Sequence, residues 1–140
     1  MLPFSLTLRP GLPIAEQVVY AATRALVSGQ LRPGDRFPSV RALSQELRIN
    51  PNTAQRIVST LAAQGVLEAK PGIGTIVAMP REGNRQQRTS LMDEHVEPLV
   101  VEARRLGIGL NDLLDFVRER WRHMDRGRGD RWTTRSKRTV

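Results

Sequence analysis

The residues with the most recognition chemistry to offer lie in one short run, Asn50-Pro51-Asn52-Thr53-Ala54-Gln55-Arg56. A side-chain carboxamide can exchange two hydrogen bonds with adenine N6 and N7, and a guanidinium can do the same with guanine O6 and N7. Threonine adds a methyl for thymine or a hydroxyl for phosphate. Such groups read a surface only if one rigid element presents them together. Asn50 before Pro51 supplies that element, because asparagine caps a helix and proline fills its first position, where a missing N–H costs nothing. On the helix so begun, Ala54, Ile57, Val58 and Leu61 fall within about 100° of arc and face a core. Asn52, Arg56 and Ser59 fall opposite, flanked by Thr53 and Gln55, and Gly65 ends the helix. The bland alternative is a solvated helix face, with Asn50 as its cap and nothing more.

The flanking elements decide between the two. Ser39 after Pro38 caps a shorter helix with a Val40, Leu43, Leu47 stripe, and Arg48-Ile49-Asn50 is the turn between the helices. Arg41 lies in the first turn, off that stripe, where the first helix of a helix-turn-helix crosses the DNA backbone. Ser39 is first a cap and second a phosphate contact. Val66–Lys70 and Thr75–Met79 then read as short strands joined by Pro71-Gly72-Ile73-Gly74. Gly72 and Gly74 lift the barrier to positive φ and to close approach of the backbone. With Lys70 and Thr75 beside them, they form a ribbon tip suited to phosphates or a minor groove. Two strands alone are marginal, so the ribbon must rest on the helices. The assembly is a winged helix-turn-helix, and it implies a sequence-specific DNA-binding regulator.

The remaining elements position this module. Residues 1–12 read as extended, and Pro13 as the first residue of a helix with Ile14, Val18, Ala22, Ala25 and Leu26 near one face and Gly29 at its end. Leu31 to Asp35 reads as a loop. Ile14, Leu43, Ile57, Val58 and Leu61 are the expected core behind the recognition helix. Pro80–Arg88 reads as a polar linker. A fourth helix follows through Met92, Val96, Leu99, Ala103 and Leu106, kinked at Pro98. Gly107 and Gly109 break it, and a fifth helix carries Leu110, Leu113, Leu114, Val117 and Trp121, with Phe116 widening the stripe. So short an appendage has little core with which to cover such a stripe. Leu99, Leu106, Leu110, Leu113, Leu114, Val117 and Trp121 are therefore the expected surface of a homodimer. From about Arg126 the arginine-rich sequence has no apolar period and is expected to be disordered or ordered only on binding. The expected fold is mainly α with a small β wing: a winged helix-turn-helix over 1–80, a helical hairpin for dimerisation over 81–124, and a basic tail over 125–140.

Charge and composition narrow the function classes. The 140 residues carry a net charge of +8. Residues 30–80 hold six basic and three acidic side chains and residues 118–140 hold nine and three, whereas 81–117 hold five and seven. A basic surface favours a polyanion but leaves nucleic acid and anionic membrane equally open, so the motif has to choose. No apolar run approaches the roughly 18 residues of a spanning helix, and the N-terminus lacks the basic region of a secretory signal. No membrane partner is expected, and the absence of cysteine suits a cytoplasmic protein. His95 and His123 are the only histidines. His95 beside Asp93 and Glu94 has no second histidine at ligand spacing, so neither metal nor cofactor is expected. Phosphate-binding loops, dinucleotide glycine patterns and cysteine nucleophiles are absent. The pairs Asp112/Asp115 and Asp93/Glu97 read as solvated helix faces, and an enzyme is not expected.

Residues Pro13–Met79 resemble the winged-helix domain of the GntR family of bacterial transcription regulators. The matching pieces are PIAEQV, SGQLRPGDRFPSVRALSQEL, NPNTAQR and GVLEAKPGIGTIV, in order and correctly spaced over almost half of the chain. EARRLGIGLNDLLDF resembles the short two-helix C-terminal region of the YtrA-like subfamily, which serves dimerisation rather than ligand binding. The resemblance implies repression of a nearby operon, often one encoding an ABC transporter. Many relatives outside that subfamily place arginines at the positions of Pro51 and Gln55, whereas this chain offers Arg56. Base readout is expected to differ accordingly, and no small-molecule effector is assigned. Two other readings stay open on sequence grounds. One is a winged helix serving protein assembly, which predicts no salt-dependent duplex binding. The other is an architectural or RNA-binding protein driven by its basic tail, which predicts affinity that survives loss of the recognition face.

Overall fold

The structure, a computed structural model, describes residues 1–125 and divides into two compact units, Met1–Pro80 and Arg81–Asp125. The basic tail expected from residue 125 lies outside the described residues, apart from Asp125, which closes the last helix.

The first unit contains α1 (Ile14–Ser28), α2 (Val40–Leu47), α3 (Pro51–Ala63), β1 (Leu67–Lys70) and β2 (Gly74–Val77). Val18, Leu31, Leu43, Ile57, Leu61 and Val77 are its largest fully buried side chains. Pro13 takes the cap position, so the helix starts at Ile14, one residue after the expected start. Ile14 consequently projects from the first turn, is 39% exposed, and does not belong to the core. The buried face of α1 begins one turn later, at Val18, and continues through Ala22 and Ala25. Val58 is half-buried at the core's edge.

Two contributions to this core have no periodic signature. Phe4 is buried against Phe37, with ring centroids 5.8 Å apart and planes 9° from parallel. Leu2 and Leu6 pack alongside. The N-terminal segment is further pinned by Gln17, whose carboxamide accepts from the Arg9 N–H (2.7 Å) and donates to the Arg9 and Leu12 carbonyls. The second contribution is an isolated β-bridge along the free edge of the two-stranded wing. β1 and β2 pair antiparallel from Leu67 opposite Val77 to Lys70 opposite Gly74. On the other edge of β2, the Phe37 N–H donates to Thr75 O (2.9 Å) and the Val77 N–H to Asp35 O (2.8 Å), with Arg36 opposite Ile76. Part of the expected 31–35 loop therefore leads directly into the sheet. The ribbon rests on the helices through Leu67 and Val77, while Gly74 starts β2 instead of ending the turn and Met79 falls outside the ladder.

The second unit contains α4 (Arg85–Leu91), a π-helical turn (Met92–Val96), α5 (Glu97–Arg105) and α6 (Leu110–Asp125). Helix begins inside the segment expected to be a linker, because Asn84 and Gln87 form a reciprocal capping box: Asn84 Oδ1 accepts from the Gln87 N–H (2.8 Å), and Gln87 Oε1 from the Asn84 N–H (2.9 Å). A widened, π-helical turn lies just before Pro98. Proline has no N–H for the carbonyl four residues back and its ring crowds that carbonyl; just upstream, the Glu97 N–H reaches the Met92 carbonyl, five residues back. Among the described residues of this unit only Ala103 is buried, and α6 buries no side chain. Arg105 pairs with Glu102 on the surface, holding that carboxyl below its usual pKa and raising the guanidinium's. Exposed pairs of this kind contribute little to stability.

Candidate nucleic-acid interface

Local capping sets the geometry of the site. Ser39 Oγ accepts from the Ala42 N–H (3.1 Å) and starts α2, leaving the hydroxyl proton free to donate outward. Arg41 follows in the first turn, exposed, opposite a helix face anchored by the fully buried Leu43. Asn50 Oδ1 accepts from the Asn52 N–H (2.8 Å) and starts α3, so its NH2 group also stays available.

Burial of Ala54, Ile57 and Leu61 then fixes the rotation of α3 about its axis. With those three residues inward, Asn52, Gln55, Arg56 and Ser59 are exposed together and Thr53 is half-buried at the margin. Gln55 Nε2 donates to Ser59 Oγ one turn later (3.1 Å), a bond that must exchange for any outward contact by that amide proton. Arg56 has no carboxylate partner among the described residues. A free guanidinium on a rigid helix suits bidentate recognition of guanine or phosphate.

The wing tip is a tight turn in which the Ile73 N–H donates to Lys70 O (3.0 Å). Pro71 stands second and Gly72, at φ 78°, third, the residue pattern of a type II turn. Gly74 follows at φ 110°. A Cβ at either glycine would meet nothing within 4 Å, so the requirement is for backbone conformation and the tip itself is open. Lys70 Nζ lies 3.9 Å from Glu68 Oε1, which offsets part of its charge. Thr75 is half-buried, and its carbonyl is engaged by Phe37. Sequence reasoning missed Arg36, which an isolated β-bridge to Ile76 holds exposed beside β2. Its only sequence signal was a basic residue in a proline- and glycine-rich stretch, which has no period to read.

Of the residues expected to mediate self-association, Leu99, Leu106, Leu110, Leu114, Val117 and Trp121 are exposed, with Leu110 at 70% and Trp121 at 64%, while Leu113 is half-buried. The Arg120 guanidinium covers one face of Phe116, 5.1 Å from the ring centroid. Among the described residues no three acidic or histidine side chains are grouped to hold a metal ion, and no helix is long and apolar enough to cross a membrane.

A capped polar helix held behind a second capped helix, with a glycine-tipped ribbon alongside, defines a winged helix-turn-helix protein of the DNA-binding class. The family described as bacterial regulatory proteins, gntR family, matches residues 14–77. The HTH-type transcriptional regulator YhcF of Bacillus subtilis (strain 168), itself uncharacterized, is 34% identical over 107 residues, covering 76% of this chain and 85% of that protein. The HTH-type transcriptional repressor YtrA of the same organism is 28% identical over 112 residues, covering 79% of this chain and 86% of that one. A solved structure described as a transcriptional antiterminator from Listeria monocytogenes EGD-e shares the fold, with a TM-score of 0.73 at 23% identity over 91% of this chain and 94% of that one. The chain belongs to the GntR family: it is a transcriptional regulator with a DNA-binding helix-turn-helix, not an enzyme.

Proposed function

We propose that this regulator is a cytoplasmic repressor that binds an inverted-repeat operator as a homodimer and controls a nearby operon, in the manner of regulators of ABC-transporter genes. The observation that carries the reading is the exposed set Asn52, Gln55, Arg56 and Ser59 on a helix whose rotation is fixed by a buried opposite face. In this reading Asn52 and Arg56 meet base edges and Thr53, Gln55 and Ser59 meet bases or phosphates at the groove margin. Ser39, Arg41 and Asn50 hold the DNA backbone. Lys70, Gly72, Gly74 and Thr75 bring the wing to the neighbouring groove or phosphates. Residues 1–80 form the DNA-binding head and 81–124 the dimerisation region, where Leu99, Leu106, Leu110, Leu113, Leu114, Val117 and Trp121 meet a second copy. The relative YtrA is a transcriptional repressor, which supports the sign of regulation.

The test is selection of bound duplexes from a randomised pool. A two-fold dimer should enrich an inverted repeat whose half-site centres lie about 34–36 Å apart, or a multiple of that distance. Enrichment of a single unrepeated site, or of none, would overturn the operator reading.

A further inference from the structure

We infer that Arg48 is a phosphate-contacting residue of the DNA-binding head, kept at a backbone position that this molecule elsewhere gives to glycine. The same helix-ending turn occurs after α2, α3 and α5. After α3 the Val66 N–H reaches Leu61 O (2.9 Å) and the Gly65 N–H reaches Ala62 O (3.1 Å). After α5 the Ile108 N–H reaches Ala103 O (2.9 Å) and the Gly107 N–H reaches Arg104 O (3.2 Å). After α2 the Ile49 N–H reaches Ser44 O (3.1 Å) and the Arg48 N–H reaches Gln45 O (3.4 Å). This pair of bonds is the Schellman motif, and it forces its central residue into the left-handed region. Gly65 and Gly107 sit there at φ 78° and 75°, but Arg48 sits there at φ 54°, the one non-glycine residue with positive φ among the described residues.

Among the described residues no hydrogen bond or ion pair calls for an arginine side chain at that point. The turn is held by its own backbone bonds, by Ser44 Oγ donating to Ile49 O (2.8 Å), and by Ile49 packing on the core. The Arg48 side chain is exposed and has no carboxylate partner among the described residues. The bonds of the turn impose the left-handed conformation whatever residue stands there, so an arginine kept in place of glycine points to a role outside the fold.

Placement names the role. Arg48 stands two residues before the cap of the recognition helix and seven after Arg41, so the two arginines mark opposite ends of α2, about 10 Å apart along its axis. Arg41 and Gln45 share the outward face of that helix, opposite the buried Leu43. A helix lying across a DNA backbone with a guanidinium at each end grips phosphates at two points. The turn lies outside the helix that enters the groove, so its contact is with phosphate and carries no sequence information. The inference rests on the DNA-binding role of the helix-turn-helix and not on the operator proposed above.

The test uses the full chain and a fluorescent mixed-sequence duplex, with affinity measured across a range of salt concentrations for wild type, Arg48→Gly and Arg48→Lys. Arg48→Gly should flatten the slope of log affinity on log salt by about 0.9 for each protomer bound. Its thermal midpoint should equal or exceed that of wild type, because glycine adopts this conformation freely. Arg48→Lys should keep the slope. An unchanged slope in Arg48→Gly would overturn the inference, as would a lowered thermal midpoint, which would return the arginine to the fold. Wild type without salt-dependent binding would sink the DNA-binding reading itself, and Arg48 with it.

Discussion

α1 and α6 carry the same kind of sequence signal and meet different fates. Each is an amphipathic helix with apolar residues at helical spacing. In the first unit that stripe is covered by the chain itself: Val18, Ala22 and Ala25 of α1 are buried, together with Leu43, Ala54, Ile57 and Leu61 from the next two helices. In the second unit Leu110, Leu114, Val117 and Trp121 of α6 remain exposed, and Ala103 of α5 is the one buried residue among those described. A stripe states that a face needs cover; it does not state whose atoms will supply it. The head closes on its own residues, whereas the open stripe of the second unit supports the proposed role in self-association.

The sharpest way to break that contrast is to charge the open face. Leu114→Glu with Val117→Glu would bury two unpaired carboxylates in a dimer interface or force it apart. The double variant should sediment as a monomer, keep the thermal transition of the head, and lose about a hundredfold or more in operator affinity as two linked half-sites become one. A dimer of undiminished stability would place the interface elsewhere.

A smaller effect distinguishes the two kinds of core. Leu61→Ala removes a fully buried side chain from the head and should lower its stability by about 2–5 kcal/mol in urea denaturation. That loss should not depend on protein concentration. The loss from Leu110→Ala should depend on it, because only a second copy would bury that residue. Concentration-independence of both would erase the distinction. Smaller still, Ser39→Ala should lower head stability by about 1 kcal/mol through loss of the α2 cap, visible as a shifted urea midpoint at unchanged slope.

The parts of the fold that were legible in sequence are those that local chemistry fixes alone. Ser39, Asn50 and Pro51 start their helices by side-chain capping and a preset φ, and the inward face of α3 follows from spacing. The parts that were not legible depend on distant partners. Phe4 reaches Phe37 across more than thirty residues, and the backbone of Asp35 to Phe37 joins a strand formed much later in the chain. Ile14 matches the period of α1, yet its turn lies beyond the covered face. The early start of α4 did have a local signal: Asn84 and Gln87 stand at capping-box spacing, within a stretch whose polarity otherwise reads as a linker. At the candidate site the polar face of α3 was legible because it opposes an apolar one. Arg36 and Arg48 were not, since an isolated arginine acquires meaning only from the backbone that holds it.

The central claim is that the exposed face of α3 reads sequence, and Arg56→Ala tests it most directly. Its affinity should be compared with that of wild type on the selected operator and on a mixed-sequence duplex at one salt concentration. A bidentate base contact predicts a loss of about 1–3 kcal/mol on the operator and a much smaller loss on mixed sequence. Equal losses on the two duplexes would make Arg56 a phosphate contact and contradict the account.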